Sequence, residues 1–459
     1  MLMRLRILKA IDLQSTNILK VFFLKIKFFG AAREVGRSCI LVESSNTKIL
    51  LDSGVKLGEK EEYPIIKDDE LNDINAIVVT HAHLDHVGYL PHIFSTGWKG
   101  SVYATKPTFE LSNVLISDYL RISNPSNITK EGLARMQKGF KLVEYHKEFH
   151  INDLKLRIIP AGHILGSGLI EVSGDGKKLL YTGDINLRKT RLLEAAHVEH
   201  LHADILLTES TYGGDSDIFP PEREQLGNML KSIKETIQKG GKIIIPSFAV
   251  GRAQEVLFIL DDYIRSGLLP KVPIYVDGMI NKAMRIHRHN VIYCREELQK
   301  RILMSEDDPF KSKNFHIIDT KGSRSRAIHE DEAGIIVTTS GMMTGGPVMK
   351  YVEKLAGNEL NKLILVGYQA EGTPGRKLAD GAKELEINGR KGNIKMAVEL
   401  YHLSAHADRP QLQKLVSDLE GLKKVFVIHG EEKKSEEFAK YLSNKYEAHV
   451  PKLGEEYIV

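Results

Sequence analysis

Residues 74–80 read Ile-Asn-Ala-Ile-Val-Val-Thr, and directly after them come His81-Ala82-His83-Leu84-Asp85-His86. A short run rich in β-branched residues forms a strand, and a strand end delivers neighbouring side chains into one small volume. Three imidazoles and a carboxylate at i, i+2, i+4 and i+5 would be costly to desolvate without a partner. A divalent metal is the partner that both ligand types share. This segment therefore demands a fold in which a strand ends at a metal site.

Four residues cannot fill the coordination shells of two metals, so further ligands are expected at other strand ends. His163 follows the run that ends at Pro160, Asp184 follows Leu179–Thr182, His429 closes Lys424–Ile428 and Asp52 closes Lys48–Leu51, each close to a glycine. The chain has 18 histidines, so decoys are plentiful. His197, His200 and His202 lie in a Leu/Glu/Ala segment without a strand-end placement and read as surface residues.

The surrounding pattern supplies a frame. Short apolar runs at Lys25–Phe29, Cys39–Glu43, Lys48–Asp52, Ile74–Thr80, Lys155–Pro160, Gly168–Val172, Leu179–Thr182 and Ile205–Thr208 predict strands. Pro107–Ser123 and Lys130–Lys138 read as helices among them. From about Pro221 the rhythm changes to helix (to Lys239), strand (Lys242–Pro246), helix (Arg252–Ser266) and strand (Pro273–Val276), the alternation of a parallel sheet. Strands at Ala333–Thr338 and Lys362–Val366 each run into a Gly-rich turn. The tail offers strands at Met396–Leu400 and Lys424–Ile428 and helices at Pro410–Glu420 and Ser435–Asn444. The expected class is α/β.

Composition then excludes several alternatives. With 42% hydrophobic and 27% charged residues over 459 positions, disorder, collagen and coiled coil do not fit. A net charge of +4 is too small to be the footprint of a polyanion-binding surface, so any such site is local. Two distant cysteines, Cys39 and Cys294, make neither a disulfide framework nor a Cys-rich zinc module, which points to a reducing compartment. The apolar stretch Ile18–Phe29 is broken by Lys20, Lys25 and Lys27 and falls short of the ~20 residues of a membrane span. The basic start lacks the apolar region of a signal peptide. A soluble, cytoplasmic protein with no membrane partner is expected.

Together these residues resemble the metallo-β-lactamase fold from about residue 22 onward. Thr208-Glu209-Ser210-Thr211-Tyr212-Gly213, Ser404-Ala405-His406-Ala407-Asp408 and Val427-Ile428-His429-Gly430-Glu431 are similar to the additional motifs of the β-CASP nucleases, as is the segment from Pro246 to Glu255. Ser340-Gly341-Met342-Met343 and Gly367-Tyr368-Gln369-Ala370-Glu371-Gly372-Thr373 bring the resemblance closer to the archaeal cleavage and polyadenylation specificity factor type of ribonuclease, in a form without KH domains, than to ribonuclease J. The implied architecture is an αββα sandwich with an inserted parallel-sheet β-CASP domain. Its expected divisions are an N-terminal extension over 1–21, the first lactamase part over 22–212, the β-CASP domain over 213–395 and the second lactamase part over 396–459. The change of rhythm near Pro221 agrees independently.

The resemblance further implies a metal-dependent ribonuclease acting on single-stranded RNA in processing or decay, as an endonuclease with 5′-to-3′ exonuclease action left open. Two zinc ions are implied, with manganese or iron also compatible with the ligand types. His81, His83 and His163 would hold one, Asp85, His86 and His429 the other, with Asp184 bridging and a hydroxide activated between them. Asp52 would steady the ligands from behind. His406, with Glu209 beside it to raise its pKa, would protonate the departing oxygen.

Arg252, Ser340, Gly341, Gln369, Gly372, Thr373 and Arg376 are the candidate substrate contacts, since Gly-rich strand-to-helix turns can cradle phosphates. Arg252 has the alternative of pinning one domain to the other, and Lys321, Arg324, Arg326, Arg390 and Lys391 read as solvated basic loops. His402 and Asp408 read as structural. The tail over 450–459 resembles the segment through which archaeal relatives dimerise, so a homodimer is expected.

Three competing readings are a catalytically inactive RNA-binding scaffold, a ribonuclease J-like exonuclease and a small-molecule hydrolase. Scaffolds lose several ligands, whereas all seven stand here with Glu209 and His406. The inserted domain argues against the small-molecule hydrolase. His429 favours RNA over DNA, because DNA-directed relatives replace that histidine.

Overall fold

The computed structural model describes residues 24–459 apart from 59, 124, 306 and 388. The N-terminal extension expected over 1–21 lies outside the described residues. Strands β1 (Lys25–Phe28), β2 (Ile40–Glu43), β3 (Lys48–Leu51), β4 (Ala76–Val78), β5 (Ser101–Ala104) and β6 (Phe140–Leu142) come first, followed by β7 (Glu148–Ile151), β8 (Leu154–Pro160), β9 (Gly168–Gly174), β10 (Lys177–Tyr181) and β11 (Ile205–Glu209). The middle of the chain gives β12 (Lys242–Pro246), β13 (Ile274–Asp277), β14 (Phe315–Ile317), β15 (Gly334–Thr338), β16 (Lys362–Leu365), the hairpin β17 (Glu384–Ile387) and β18 (Arg390–Asn393), and β19 (Ala397–Leu400). The tail adds β20 (Lys424–Ile428), β21 (Glu447–His449) and β22 (Glu456–Ile458).

Two seven-stranded sheets, in the orders β22-β1-β2-β3-β4-β5-β6 and β21-β20-β11-β10-β9-β8-β7, face each other. Alternation dictates this packing. In β8, Leu154, Leu156 and Ile158 are buried while Lys155 and Arg157 are not, the pattern of a strand with one face on a core. That core joins Phe28, Ile40 and Val78 of the first sheet to Leu156, Tyr181, Leu207 and Phe426 of the second. Helices cover the outer faces, with Leu90, Phe94 and Ile116 on one side and Leu412, Leu415 and Phe438 on the other. The fold is α/β, as expected.

The third sheet, β14-β13-β15-β12-β16-β19, pairs in parallel throughout. Its central strands β12 and β15 are buried at every position, with Ile243 opposite Ile335 and Ile245 opposite Val337. Continuous apolar runs are what a parallel sheet covered on both faces needs. β19 belongs here by pairing with β16, although the sequence suggested that the segment from 396 rejoins the first architecture. On sheet membership the return comes after Leu400.

A second difference concerns the basic loops. Lys321, Arg324 and Arg326 lie on a helix, Lys321–His329. Arg324 is not merely solvated: its Nε and Nη2 donate to the buried Asp277 carboxylate at 2.6 and 2.9 Å. Residues 390 and 391 begin the second strand of the hairpin rather than a loop. Besides β5, the short strands β6, β7, β14, β17, β18, β21 and β22 escaped sequence reading because polar residues break up their three or four positions, unlike the equally short apolar β3 and β4. No helix among the described residues is long and apolar enough to cross a membrane.

Aromatic contacts seal the sandwich where the chain returns. Phe426 lies 5.4 Å from Phe28 across the sheets and 4.8 Å from Tyr457 of β22. Truncation to Phe426→Ala is expected to cost about 3 to 5 kcal/mol, read as a lower urea midpoint. In the helix Ile280–His289, His287 is fully buried, its Nδ1 donating to the Ala283 carbonyl at 2.7 Å and its Nε2 without a partner. Burial pushes its pKa down to about 4. The unfolded chain therefore takes up a proton, near pH 6.5, that the folded chain refuses until about pH 4. Its contribution is complete above 6.5 and is lost as the pH falls toward 4. His287→Leu is expected to flatten that part of the stability-versus-pH curve, which at most spans about 3 kcal/mol, measured by denaturant titration across the window.

Candidate metal centre

Six strands that end at this site run in one direction. β3 and β4 are parallel in the first sheet, and β10, β11 and β20 are parallel in the second. β8 shares their direction because it and β10 are both antiparallel to β9. Their carboxyl ends thus meet at one rim of the sandwich. They deliver Asp52 (β3), His81 (β4), His163 (β8), Asp184 (β10), Glu209 (β11) and His429 (β20). His83 begins the one-turn helix Leu84–Val87, which adds Asp85 and His86.

Sharp turns aim these groups inward. Asp52 and His429 take left-handed φ of 59° and 47°, unfavourable outside glycine. Backbone bonds hold both, from Asp52 N to Val78 O at 3.0 Å and from His429 N to Ala31 O at 2.7 Å. At Gly183, φ is 50° and an added Cβ would meet the Thr80 side chain at 2.7 Å. The close approach of Asp184 to the His81 loop depends on that glycine.

The convergence is tight. His83 Nδ1 lies 3.2 Å from His81 Nε2 and 3.1 Å from His163 Nε2. Both of those Nε2 atoms lie 3.4 Å from Asp184 Oδ2. On the other side of the same carboxylate, Asp184 Oδ1 lies 3.4 Å from His86 Nε2 and 3.3 Å from His429 Nδ1. His429 Nε2 reaches Asp85 Oδ2 at 3.3 Å. His81, His83, His163 and Asp184 thus gather ligand atoms within 4.8 Å of one another, as do Asp85, His86 and His429, and of these His86 and His429 face the other oxygen of the same Asp184 carboxylate.

Their protonation state fits metal binding. His86 Nε2, His429 Nδ1 and Asp184 Oδ1 are buried without a hydrogen-bond partner, an arrangement costly unless a cation completes it. Burial, with His81 next to it, pushes His83 down to about 3. Burial and His406 hold His163 well below its usual range. Burial works against Asp85 ionising, but His86 and His429 outweigh it and pull its pKa below the usual carboxylate range. His86 is the opposite case: burial pushes it down, but Asp184 and Asp52 hold it well above 6.5, so a cation entering here displaces a proton.

Asp52 stands behind His86 and fixes its tautomer. Its Oδ2 accepts from His86 Nδ1 at 2.7 Å, Thr80 Oγ1 at 2.8 Å and Tyr181 Oη at 2.8 Å, while Oδ1 accepts from Thr80 N at 2.7 Å. His86 is thereby left with Nε2 facing Asp184. Tyr181 is a participant that sequence reading missed. Its hydroxyl, in an apolar strand three residues before Asp184, was the available signal.

Glu209 is fully buried and accepts from Ile185 N at 2.7 Å and from His406 Nδ1 at 3.0 and 3.1 Å. Burial disfavours the His406 cation, yet Glu209 and Asp184 prevail and raise its pKa to about 9. The ring of His406 lies 4.6 Å from that of His163, and His163 Nδ1 donates to Ala405 O at 2.9 Å. The Glu209–His406 pair is thus tied directly to the ligand cluster. His402 stacks on Phe219 and Asp408 caps the helix Arg409–Asp418. His197, His200 and His202 are exposed and remote from these contacts.

The third sheet presents its carboxyl ends to the same cleft. Phe248 follows β12 and its ring lies 6.2 Å from that of His83. Ser340 and Gly341 follow β15, the Ser340 hydroxyl bonding within its own turn to Gly345 O at 3.2 Å. Gln369 is buried and donates to Gly341 O and Gly367 O at 3.1 and 3.3 Å, joining the two Gly-rich turns. Thr373 caps the short helix Pro374–Ala379, Arg376 pairs with Asp380 at 2.9 Å and Gly372 has open space around it. Arg252 is 8% exposed with Nη2 unpartnered. Tyr368 bridges the two architectures through Glu431 at 2.9 Å.

Comparison with known proteins gives this arrangement a lineage. A model of the metallo-beta-lactamase superfamily matches residues 32–236, a Beta-Casp domain model 253–378, and a Zn-dependent metallo-hydrolase RNA specificity domain model 391–451. The transcription termination factor FttA of Methanocaldococcus jannaschii is 38% identical over 435 residues, 91% of this chain and 68% of that protein. The chain belongs to the β-CASP family of the metallo-β-lactamase superfamily. Other β-CASP relatives include the FttA of Methanothermobacter thermautotrophicus, 37% identical over 92% of this chain and 69% of that protein. An RNase J-like protein of M. jannaschii is 38% identical over 90% of this chain and 94% of that protein. A crystal structure of a protein of unknown function from Enterococcus faecalis V583 shares the fold at a TM-score of 0.59, with 14% identity, covering 95% of this chain and all of that one. Membership in the β-CASP family makes this a metal-dependent hydrolase, and the orphaned buried ligand atoms fit that assignment.

If Asp52 orients His86, Asp52→Asn is expected to weaken divalent-metal binding about 10- to 100-fold. Tyr181→Phe, which removes one of three donors to Asp52 Oδ2, should have a smaller effect in the same direction. Competition with a chromophoric chelator measures both.

Proposed function

We propose that this β-CASP protein is a zinc-dependent ribonuclease that hydrolyses phosphodiesters of single-stranded RNA, as an endonuclease working in RNA processing or decay. The observation that carries the reading is the two ligand sets that face opposite oxygens of the Asp184 carboxylate, with the Glu209–His406 pair directly beside them. His81, His83 and His163 would hold one zinc and Asp85, His86 and His429 the other, with Asp184 serving both. When bound, such ions lower the pKa of water and neutralise charge developing on a phosphodiester.

The remaining work falls to the protein. Glu209 keeps the His406 Nδ1 proton engaged, so Nε2, 3.9 Å from Asp184 Oδ2, is the atom able to pass a proton to the departing oxygen. Asp52 holds His86 in position through Nδ1. For substrate contact we retain Arg252, Ser340, Gly341, Gln369, Gly372, Thr373 and Arg376. Gln369 and Thr373 act by shaping the turns, since their side chains already bond the backbone. The names of the relatives, a transcription termination factor and an RNase J-like protein, support RNA as the substrate. The complete ligand and acid sets speak against an inactive scaffold.

We keep the first division after residue 212, extend the inserted domain expected over 213–395 to Leu400 on the pairing of β19, and keep a cytoplasmic location. The homodimer also stands as a proposal: β22 uses one edge on β1 and ends its sheet with Ile458 exposed, and light scattering giving a monomer mass would remove it.

The decisive experiment incubates zinc-loaded protein with 5′-triphosphate, 5′-monophosphate and 3′-labelled RNAs. Internal cuts independent of the 5′ end are expected, whereas stepwise release of mononucleotides from the 5′-monophosphate RNA would favour the ribonuclease J-like reading. His406→Ala and Glu209→Gln should each slow cleavage about 10²- to 10⁴-fold with bound metal unchanged. Full activity of the His406→Ala protein would remove the proposed acid.

A further inference from the structure

Phe248 stands outside the carboxyl end of β12, the strand between β15 and β16. The crevice outside strand carboxyl ends is where open parallel sheets take ligands. Phe248 is only partly buried, while Ser247 before it and Val250 after it are buried. It belongs to none of the five apolar clusters of the described residues. Its neighbours are instead the His83 imidazole, 6.2 Å away between centroids, and two glycines. A Cβ at Gly341 would meet ring atoms Cδ2 and Cε2 at 3.0 and 3.1 Å, and one at Gly367 would meet Cε2 at 3.6 Å. Glycine at both positions lets the two turns close on one edge of the ring. An aromatic side chain that serves no core, is wedged from the side and stands beside the reacting centre is a fixed surface for a planar ligand.

We propose that Phe248 is a stacking platform for the base of one nucleotide adjoining the scissile phosphate, a nucleobase subsite that accepts any of the four bases because each has a π-face. The inference rests on the ribonuclease reading and adds a contact that no phosphate-binding group supplies. Because the two turns fix the ring, little ordering is needed when the base arrives.

The test uses a short RNA whose cut site has been mapped, with an abasic ribonucleotide placed in turn at each position flanking the cut. One abasic position is expected to slow the wild-type protein about tenfold. Phe248→Leu, which keeps apolar bulk between the turns, should slow intact RNA by a similar factor and add no further loss on that abasic RNA. Phe248→Trp should retain the wild-type rate. In chelator, where nothing is cut, Phe248→Leu should bind labelled intact RNA about tenfold more weakly with an unchanged slope of affinity against salt, since no phosphate contact is lost. Bound metal and melting temperature serve as controls for folding. Equal slowing by Phe248→Leu on intact and on every abasic RNA would mean that the ring only packs, and would overturn the proposal, as would wild-type rates in the variant. A wild-type protein that binds but never cuts RNA would sink the ribonuclease reading, whereas the binding comparison of intact with abasic RNA would still decide the subsite.

Discussion

Asp184 offers one oxygen to His81 and His163 and the other to His86 and His429. That division of a single buried carboxylate organises the protein. It requires β4 of one sheet and β8, β10 and β20 of the other to end at a common rim, and so fixes how the two sheets face. It also places a dense group of polar atoms where water is excluded, a state stable only when each atom has a partner. Tyr181, Thr80 and Asp52 supply such partners behind the cluster, and a cation supplies them in front.

The same economy governs the Glu209–His406 pair. Glu209 closes β11 between the strands that carry Asp184 and His429, so its position comes from the sheet that sets the metal ligands. His406 comes from a loop that follows the third sheet. The bond from His163 to Ala405 ties that loop to the cluster. The raised pKa of His406 and the lowered pKa of His163 thus arise a few ångströms apart, one ring facing a buried carboxylate and the other facing neighbouring imidazoles. Two imidazoles side by side differ in proton affinity through their surroundings alone.

Much of this could be read in the chain. The pattern from His81 to His86, and the repeated ending of apolar runs in His163, Asp184 and His429, is a local signal: strand propensity and polar residue type are both written in consecutive positions. The parallel third sheet was legible for the same reason, since continuous runs such as Lys242–Pro246 tolerate no solvent-facing side. The short polar-interrupted strands β6, β14, β21 and β22 were not legible, and neither was the allegiance of β19, whose partner β16 is more than thirty residues earlier in the chain. Arg324 looked like a solvated cation because nothing near it in sequence announces Asp277.

By itself the sequence determined which residue types end which strands, and hence that imidazoles and carboxylates would gather at a metal site. Tertiary structure alone decided which oxygen of Asp184 faces which histidine, that Asp52 accepts from His86 while Tyr181 and Thr80 hold the same carboxylate, and that Phe248 lies beside His83 rather than in a core. The reason is range. Secondary-structure preference is set by neighbours along the chain, whereas hydrogen-bond partners and burial are set by strands brought together from distant positions, where packing rather than propensity has the final word.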